Sequence, residues 1–532
     1  MSGTALGPAA RAAALERMRG ERFDLLVVGG GITGVGIALD AATRGLTVAL
    51  VEAHDIAWGT SSRSSKLIHG GLRYLEMLDF GLVREALRER RLLLTKLAPH
   101  LVRPVPFLFP LTHRVWERPY LGAGLLLYDT MGGARHVPRA RHLSKRAALR
   151  SAPALRPDSL VGAVRFHDAQ EDDARFAVHV ARTAAGHGAA LATRAAVTAF
   201  ARDEGGRVVG ARIRDGLGGG ELDVRARHTV VAAGVATDRV LELATGRRQD
   251  ALRPSKGVHL LVPRAAIPMR TGLFMRTEKS IFHAIPWGEG HWLLGDTDTD
   301  WDGEPDAPVA NRADVEYVLS KVNSVLVRPL SAAQICGIYA GLRPLVAAEG
   351  AASTTRLSRE HRLFAPLPGL TAIAGGKYTT YRVMARDAVD AAARDLGGAA
   401  PSRTHEVPLV DAGGEVDALA ASDPALGEPI AGTRHRAADA VHACTHEGAL
   451  DLDDVLTRRL RVSIEVRDRG RAAAAAIAPL VASALGWSDA RAAEEVAGYV
   501  RLRDAEAAAA EAPDDATARA RYRAALGAPK GV

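Results

Sequence analysis

The sequence predicts an α/β domain joined to an α+β lobe on a mixed or antiparallel sheet, with a helical domain at the C-terminal end. Three observations carry this. A short apolar run at 23–28 stops on Gly29-Gly30-Gly31, and helix-like periodicity follows it. Strand-like stretches separated by turn residues recur between 257 and 296. Beyond about residue 412 the pattern is helical almost throughout. With 532 residues, the chain is also too long for one hydrophobic core.

Residues 1–22, rich in alanine and arginine, read as an N-terminal extension without the apolar core of a signal peptide. The run at 23–28 is a buried parallel strand, 32–44 a helix, and Leu46–Glu52 a second strand, which makes one βαβ unit. The glycines interrupt Leu25–Ala42, so that stretch is strand and helix rather than a membrane span. A serine-rich loop, Thr60–Ser65, precedes an amphipathic helix from Phe80 to about Leu97. A proline-rich passage (Pro99–Pro110), an apolar segment (Tyr120–Met131) and short strands lead to about 225. Thr229–Ala232 is a further buried strand closed by Gly234. Gly257–Pro263, Ser280–Pro286 and Trp292–Asp296 read as an antiparallel sheet, so the second lobe is expected over roughly 99–225 and 250–345. Glycine turn chemistry returns at Ala374-Gly375-Gly376, ahead of a helix through Ala393. The main body is thus 23–397, and a shift to Gly, Ala, Pro and Ser at 398–412 marks its boundary. Residues 413–532 form a helical cap, including Leu452–Val466 and Arg471–Leu485, with an exposed tail expected after about 505.

The net charge is +8, from 8 lysines and 61 arginines against 61 acids. No dense basic block with interleaved aromatics appears, so no nucleic-acid partner is expected; an anionic membrane or metabolite stays open. Cys336 and Cys444 are far apart, which excludes a disulfide framework and a thiolate zinc site and suits a reducing compartment. No His/Asp/Glu set has ligand spacing, so no metal is expected.

Gly29-x-Gly31-x-x-Gly34 between a strand and a helix is the Rossmann-like arrangement for a dinucleotide. Gly29 permits the tight turn, Gly31 lets a pyrophosphate approach the backbone, and Gly34 lets the helix pack on the strand. Free N–H groups at the helix start hold phosphate. Glu52, ending the second strand, is placed for the adenosine ribose and disfavours NADP. These residues alone do not choose between FAD and NAD.

The sequence Thr60-Ser-Ser-Arg-Ser-Ser-Lys-Leu-Ile-His-Gly-Gly-Leu-Arg-Tyr-Leu-Glu76 resembles the signature of the respiratory, quinone-linked, FAD-dependent glycerol-3-phosphate dehydrogenases. The resemblance continues through Pro254–Pro263, Leu294-Gly-Asp-Thr-Asp298, Gly341-Leu-Arg-Pro344, Gly375–Arg382 and Asp454–Arg459, in order and over nearly the whole chain. It implies a D-amino-acid-oxidase-type fold that binds FAD, with an interleaved substrate domain and a helical cap. The implied reaction oxidises sn-glycerol 3-phosphate to dihydroxyacetone phosphate and passes electrons to a membrane quinone. The implied location is cytoplasmic, peripheral on the inner face of the cell membrane. A homodimer is compatible with the sequence and not fixed by it. Family members with a calcium-binding extension exist, but no EF-hand pattern appears in this tail.

By motif match, Arg73, Tyr74, Arg343, Arg359 and Lys377 are the substrate-binding candidates, with Arg343 and Lys377 also counted as catalytic. His259 matches the family's general base, a role that suits an imidazole near neutral pH. Thr60, Ser61, Ser64, Ser65 and Lys66 are expected near the flavin and its ribityl–phosphate chain. Gly234, Gly375, Gly376 and Thr379 are expected to border the flavin, and His69 to pack beside it. Tyr378 stands where leucine or tryptophan is common in the family. Two other functions remain in play: a glycerol-3-phosphate oxidase using oxygen, and a flavin-binding regulatory protein without turnover.

Overall fold

The computed structural model describes residues 3–71, 79–113, 116–132, 137–158, 160–277, 281–347 and 360–527. Arg22–Val28 lies at the centre of the first sheet, where Leu25, Leu26 and Val27 are fully buried. It pairs in parallel with Val48–Val51 on one side and Glu221–Val231 on the other. Ala190–Ala192 and Leu370–Gly375 extend the parallel set outward, and His361–Leu367 closes one edge antiparallel. The register sets Val28 opposite both Val51 and Val231, so the strand ends leading to Gly29, Glu52 and Gly234 lie side by side. A ligand crevice lies outside such carboxyl ends in an open parallel sheet.

A parallel sheet needs both faces covered, and here they are. Helices Ile32–Thr43, Asp173–Gly186 and Tyr381–Leu396 bury one face. Helix Pro8–Gly20 and the antiparallel pair Ala195–Arg202 and Val208–Asp215 cover the other. Within the N-terminal extension, Pro8–Gly20 is a helix packed against the sheet. Ala14, Leu15 and Met18 sit in the core beneath the sheet, and Arg11 is ion-paired with Asp215 at 2.5 Å.

Among the described residues the second sheet has ten strands. Ser255–Pro263 lies between Gly337–Arg343 and His291–Gly295, antiparallel to both. Ile281–Trp287 and Gly272–Arg276 follow, then Arg103–Leu111, Gly162–Gln170 and the short Leu67–Ile68. That last pairing ties the serine loop to the second sheet through Gln170 and Ala169. The lobe's first half thus ends near residue 170, not 225, because 190–231 returns to the first sheet. Sequence patterns show strands, not which sheet takes them.

The cap has its own apolar core around Cys444, Leu456, Ile477 and Val481. Its seam with the main body is ionic and buried. Asp55 accepts hydrogen bonds from Arg458 (2.6 Å) and Arg459 (2.8 Å on each oxygen), and Asp172 from Arg461 at 2.6 Å. The expected helix over Leu452–Val466 is present but broken, as a π-helical stretch, Asp454–Arg459, and a short helix, Val462–Glu465, with Arg461 left-handed (φ 61°) between them. That break aims three arginines at Asp55, Asp172 and Asp173. After 505 the described residues, to 527, are docked along one face and exposed on the other: helices Asp489–Ala510 and Asp515–Leu526 pack on the body through Ala509, Ala512, Ala518 and Val309. Asp515 is ion-paired with the buried Lys256 of the central strand.

Candidate active site

The strand ends of the first sheet open into one cavity of about 660 Å³, whose far wall is the second sheet. At the near end, Gly29 (φ 116°) places its α-carbon where a Cβ would come within 2.5 Å of the Ala232 carbonyl oxygen. A Cβ on Gly34 would overlap the Gly29 carbonyl oxygen, so this glycine lets the helix sit against the turn without lining the cavity. Helix Ile32–Thr43 has no side-chain cap at Gly31, and Ser61 Oγ accepts the N–H of Ile32 at 2.9 Å. A helix start whose N-cap residue has no side chain, with its positive dipole end at a cavity wall, is suited to an anion, although Ser61 already takes the first of its N–H groups. Glu52 braces the turn: its carboxylate accepts the N–H of Gly30 at 2.6 Å and of His54 at 2.7 Å. Burial pushes its pKa up. His54 stacks on Trp58 with centroids 4.0 Å apart, forming a flat aromatic element beside Glu52. The glycines, uncapped helix and acid together fit a dinucleotide cofactor.

The serine loop lines the cavity through Thr60, Ser61, Ser64 and Ser65, and His69 and Gly234 line it too. Lys66 departs from expectation. Its left-handed backbone (φ 57°) turns the ammonium away from the cavity into an ion pair with Asp173 at 2.7 Å. Thr379 is buried behind the wall, where its hydroxyl accepts the N–H of His69 at 3.1 Å. Gly375 (φ 75°) and Gly376 (φ 84°) line the cavity in conformations that favour glycine. Tyr378 packs edge-on against Phe176 and donates to the Asp173 carbonyl.

The far wall brings together His259, Arg343 and Lys377. His259 lies mid-strand, its ring stacked on Tyr339 at 4.9 Å and its Nε2 3.0 Å from Ser65 Oγ. Burial pushes its pKa down to about 3, against the opposing pull of Asp296. Arg343 ends the neighbouring strand. Its Nη2 donates to Asp296 and to the Thr297 carbonyl at 2.9 Å, and its Nη1 to Ser255 Oγ at 3.2 Å. Gly257 leaves room for that guanidinium, which a Cβ would meet at 2.6 Å. Arg73, Tyr74 and Arg359 lie outside the described residues.

Sequence reasoning missed Arg63 and Asp296, which also line the cavity. Arg63 stands in the serine loop and is one of 61 arginines, so nothing marks it in advance. Asp296 lies inside the Leu294–Asp298 motif, which singled out the segment but not the role. Asp296 is held near a pKa of about 2: burial raises it, and Arg343 with the two imidazoles overcomes that.

The family model for FAD dependent oxidoreductases matches residues 24–382, and that for the C-terminal domain of alpha-glycerophosphate oxidase matches 411–492. Glycerol-3-phosphate dehydrogenase 2 of Mycobacterium tuberculosis (strain ATCC 25618 / H37Rv) is 50% identical over 97% of this chain and 94% of that protein. The glycerol-3-phosphate dehydrogenase of Mycobacterium leprae is 49% identical over the same shares. Among solved structures, the glycerol-3-phosphate dehydrogenase from Bacillus halodurans complexed with FAD superposes with a TM-score of 0.73 at 26% identity, covering 94% of this chain and 98% of that one. With the cavity's glycine turn, acid and cationic far wall, these matches make the chain a member of the FAD-dependent glycerol-3-phosphate dehydrogenase family, flavoenzymes of the D-amino-acid-oxidase type.

Proposed function

We propose that this chain oxidises sn-glycerol 3-phosphate to dihydroxyacetone phosphate and delivers the electrons to a membrane quinone. The observation that carries the reading is one cavity in which the dinucleotide turn faces His259, Arg343 and Lys377. In this reading Gly29, Gly31 and the helix start hold the pyrophosphate of FAD, and Glu52 the adenosine ribose. Thr60, Ser61, Ser64 and Ser65 follow the ribityl chain, and Gly234, Gly375 and Gly376 border the flavin ring. Lys66 and Thr379 support that wall from behind. Bound FAD supplies the hydride acceptor for C2 of the substrate.

The chain's own residues do the rest. Arg343 and Lys377, with Arg63, supply cations for a dianionic phosphate in the cavity. Arg73, Tyr74 and Arg359 are assigned to the same phosphate by motif alone. His259 is neutral in the resting site and so ready to accept the C2 hydroxyl proton. Tyr339 and Ser65 fix its ring, and the arriving dianion favours the imidazolium that forms.

Adding sn-glycerol 3-phosphate anaerobically to the holoenzyme should bleach the visible flavin band; an unchanged spectrum refutes turnover and favours a regulatory flavoprotein. Reoxidation by a quinone analogue should outpace reoxidation by oxygen. Stoichiometric peroxide without quinone reduction would make the chain an oxidase.

Among the described residues no helix is long and apolar enough to cross a membrane, so the contact proposed is peripheral. Helix Glu117–Gly132 leaves Tyr120 and Leu127 exposed; Trp116 sits 6.1 Å from the Tyr120 ring, and the Arg276 guanidinium lies over that ring at 5.8 Å. Exposed Trp and Tyr beside arginine are suited to a headgroup layer. Flotation with anionic vesicles tests this: Trp116→Ser with Tyr120→Ser should abolish co-flotation, and wild-type flotation in that variant would exclude the helix.

A further inference from the structure

We propose that Asp296 is a positioning residue for the reaction: its carboxylate holds the Arg343 guanidinium in the cavity wall and keeps a negative charge facing the His259 imidazole. This inference rests on His259 acting as the base.

A phosphate-binding site poses a difficulty for a base inside it. The cations that attract the substrate oppose any further positive charge, and proton uptake by an imidazole creates one. Arg63, Arg343 and Lys377 all line this cavity. The carboxylates among its described lining residues are Glu52, Asp296 and Asp306. Glu52 is engaged by the amides of Gly30 and His54. Asp306 pairs with Arg239, at 3.1 Å in the longer of its two bonds. That leaves Asp296 as the acid on the His259 side.

The strand geometry puts it there. Gly295, the residue before it, is the register partner of His259 on one side and of His283 on the other. A Cβ on Gly295 would overlap the His259 ring, so only glycine lets this strand approach so closely. The carboxylate that follows meets Arg343, whose guanidinium also reaches the Thr297 carbonyl and Ser255 Oγ and lies 3.5 Å from Asp298. These contacts hold Arg343 in the cavity wall.

The groups facing His259 are Ser65, Tyr339, His283, Arg343, Lys66 and Asp296. Lys66 is turned to Asp173, and His283 lies 6.0 Å away by ring centroid. Among the described residues, Asp296 is the leading charge that favours an imidazolium at His259, while Arg343 and Lys66 oppose it. His259 Nδ1 and His283 Nε2 are both buried without a hydrogen-bond partner among the described residues. Beyond the Ser65 hydroxyl at His259 Nε2, the charge compensation available to a proton on that ring is this carboxylate acting through space.

The test is the pH dependence of kcat for sn-glycerol 3-phosphate with FAD-loaded wild type, Asp296→Asn and Asp296→Glu. The wild type should show an ascending limb set by His259, which His259→Gln removes. In Asp296→Asn the limb should move to lower pH by about one unit or more, and the plateau kcat should fall about tenfold or more. Asp296→Glu keeps the charge, so its limb should stay within about half a unit of wild type. A merely structural aspartate would raise KM or lower flavin content and leave the limb in place, and that result overturns the proposal. If Asp296→Asn does not retain FAD, the Asp296→Glu limb decides: retained, it supports the proposal; displaced, it overturns it. A wild type that does not reduce its flavin, or shows no such limb, refutes instead the function or the role of His259 on which the inference rests.

Discussion

At the glycine turn the cavity wall is backbone, whereas around His259 it is charged side chain. The turn is built from residues 29–34 and the start of the helix behind them, and its recognition elements are N–H groups and missing Cβ atoms. The far wall draws His259, Asp296, Arg343 and Lys377 from separate segments of the chain, each a titratable or charged group. The two ends should therefore fail differently. The near end is intolerant of added atoms, because the Gly29 and Ala232 carbonyls leave no room. The far end is intolerant of lost charge, because a partner left behind in a buried site has no water to turn to.

Adding atoms at the near end should have the most complete consequence, loss of the cofactor and with it all turnover. Gly34→Val drives a branched side chain into the Gly29 carbonyl, an overpacking cost of about 1–3 kcal/mol or more concentrated at the phosphate turn. The purified chain should carry little flavin per protein by absorbance; a full complement would show that the turn is not what holds the cofactor. At the far end, Arg343→Met or Lys377→Met should leave flavin content near wild type. Each should lower kcat/KM for sn-glycerol 3-phosphate by about 2–5 kcal/mol in transition-state terms, which is from tens to thousands of fold. If either variant instead loses its flavin with activity per flavin intact, the division between the ends is misplaced. Glu52→Gln removes a charge from the near end and should weaken FAD by about 1.5–3 kcal/mol, read from flavin release on dilution. An unchanged affinity would make Glu52 only a brace for Gly30.

The effect furthest from turnover concerns stability. His259 has a folded pKa of about 3 against an ordinary value of 6.5, with burial the main cause. Between those values the unfolded chain binds more protons, so stability rises with pH across the window and is lost progressively as pH falls below 6.5. His259→Gln lacks this titration. From roughly pH 7 to pH 5, the wild type should lose about 2 kcal/mol more than the variant in urea unfolding. Parallel pH curves would mean that His259 is not held neutral by burial.

Local, consecutive features were legible without coordinates. The run at 23–28, the three glycines and Glu52 all sit within one βαβ unit, where strand and helix periods are direct consequences of side-chain geometry. Lys377 was legible for another reason, since 8 lysines among 61 arginines make each lysine informative. Lys66 shows the limit of that reasoning. It falls in the right motif, yet one left-handed residue sends its ammonium to Asp173 behind the cavity.

By itself, then, the sequence determined the cofactor turn, the layered α/β body, the second antiparallel lobe and the helical C-terminal part. It did so because hydrophobic periodicity and glycine placement act over a few residues. Tertiary structure alone decided which charges meet. Asp296 faces His259 because two strands register through Gly295, and Arg458 and Arg459 find Asp55 some four hundred residues away through a break in the helix. It also placed helix Pro8–Gly20 beneath the first sheet and the last helices on Lys256. An amphipathic pattern says that a face will be buried; long-range packing chooses what buries it.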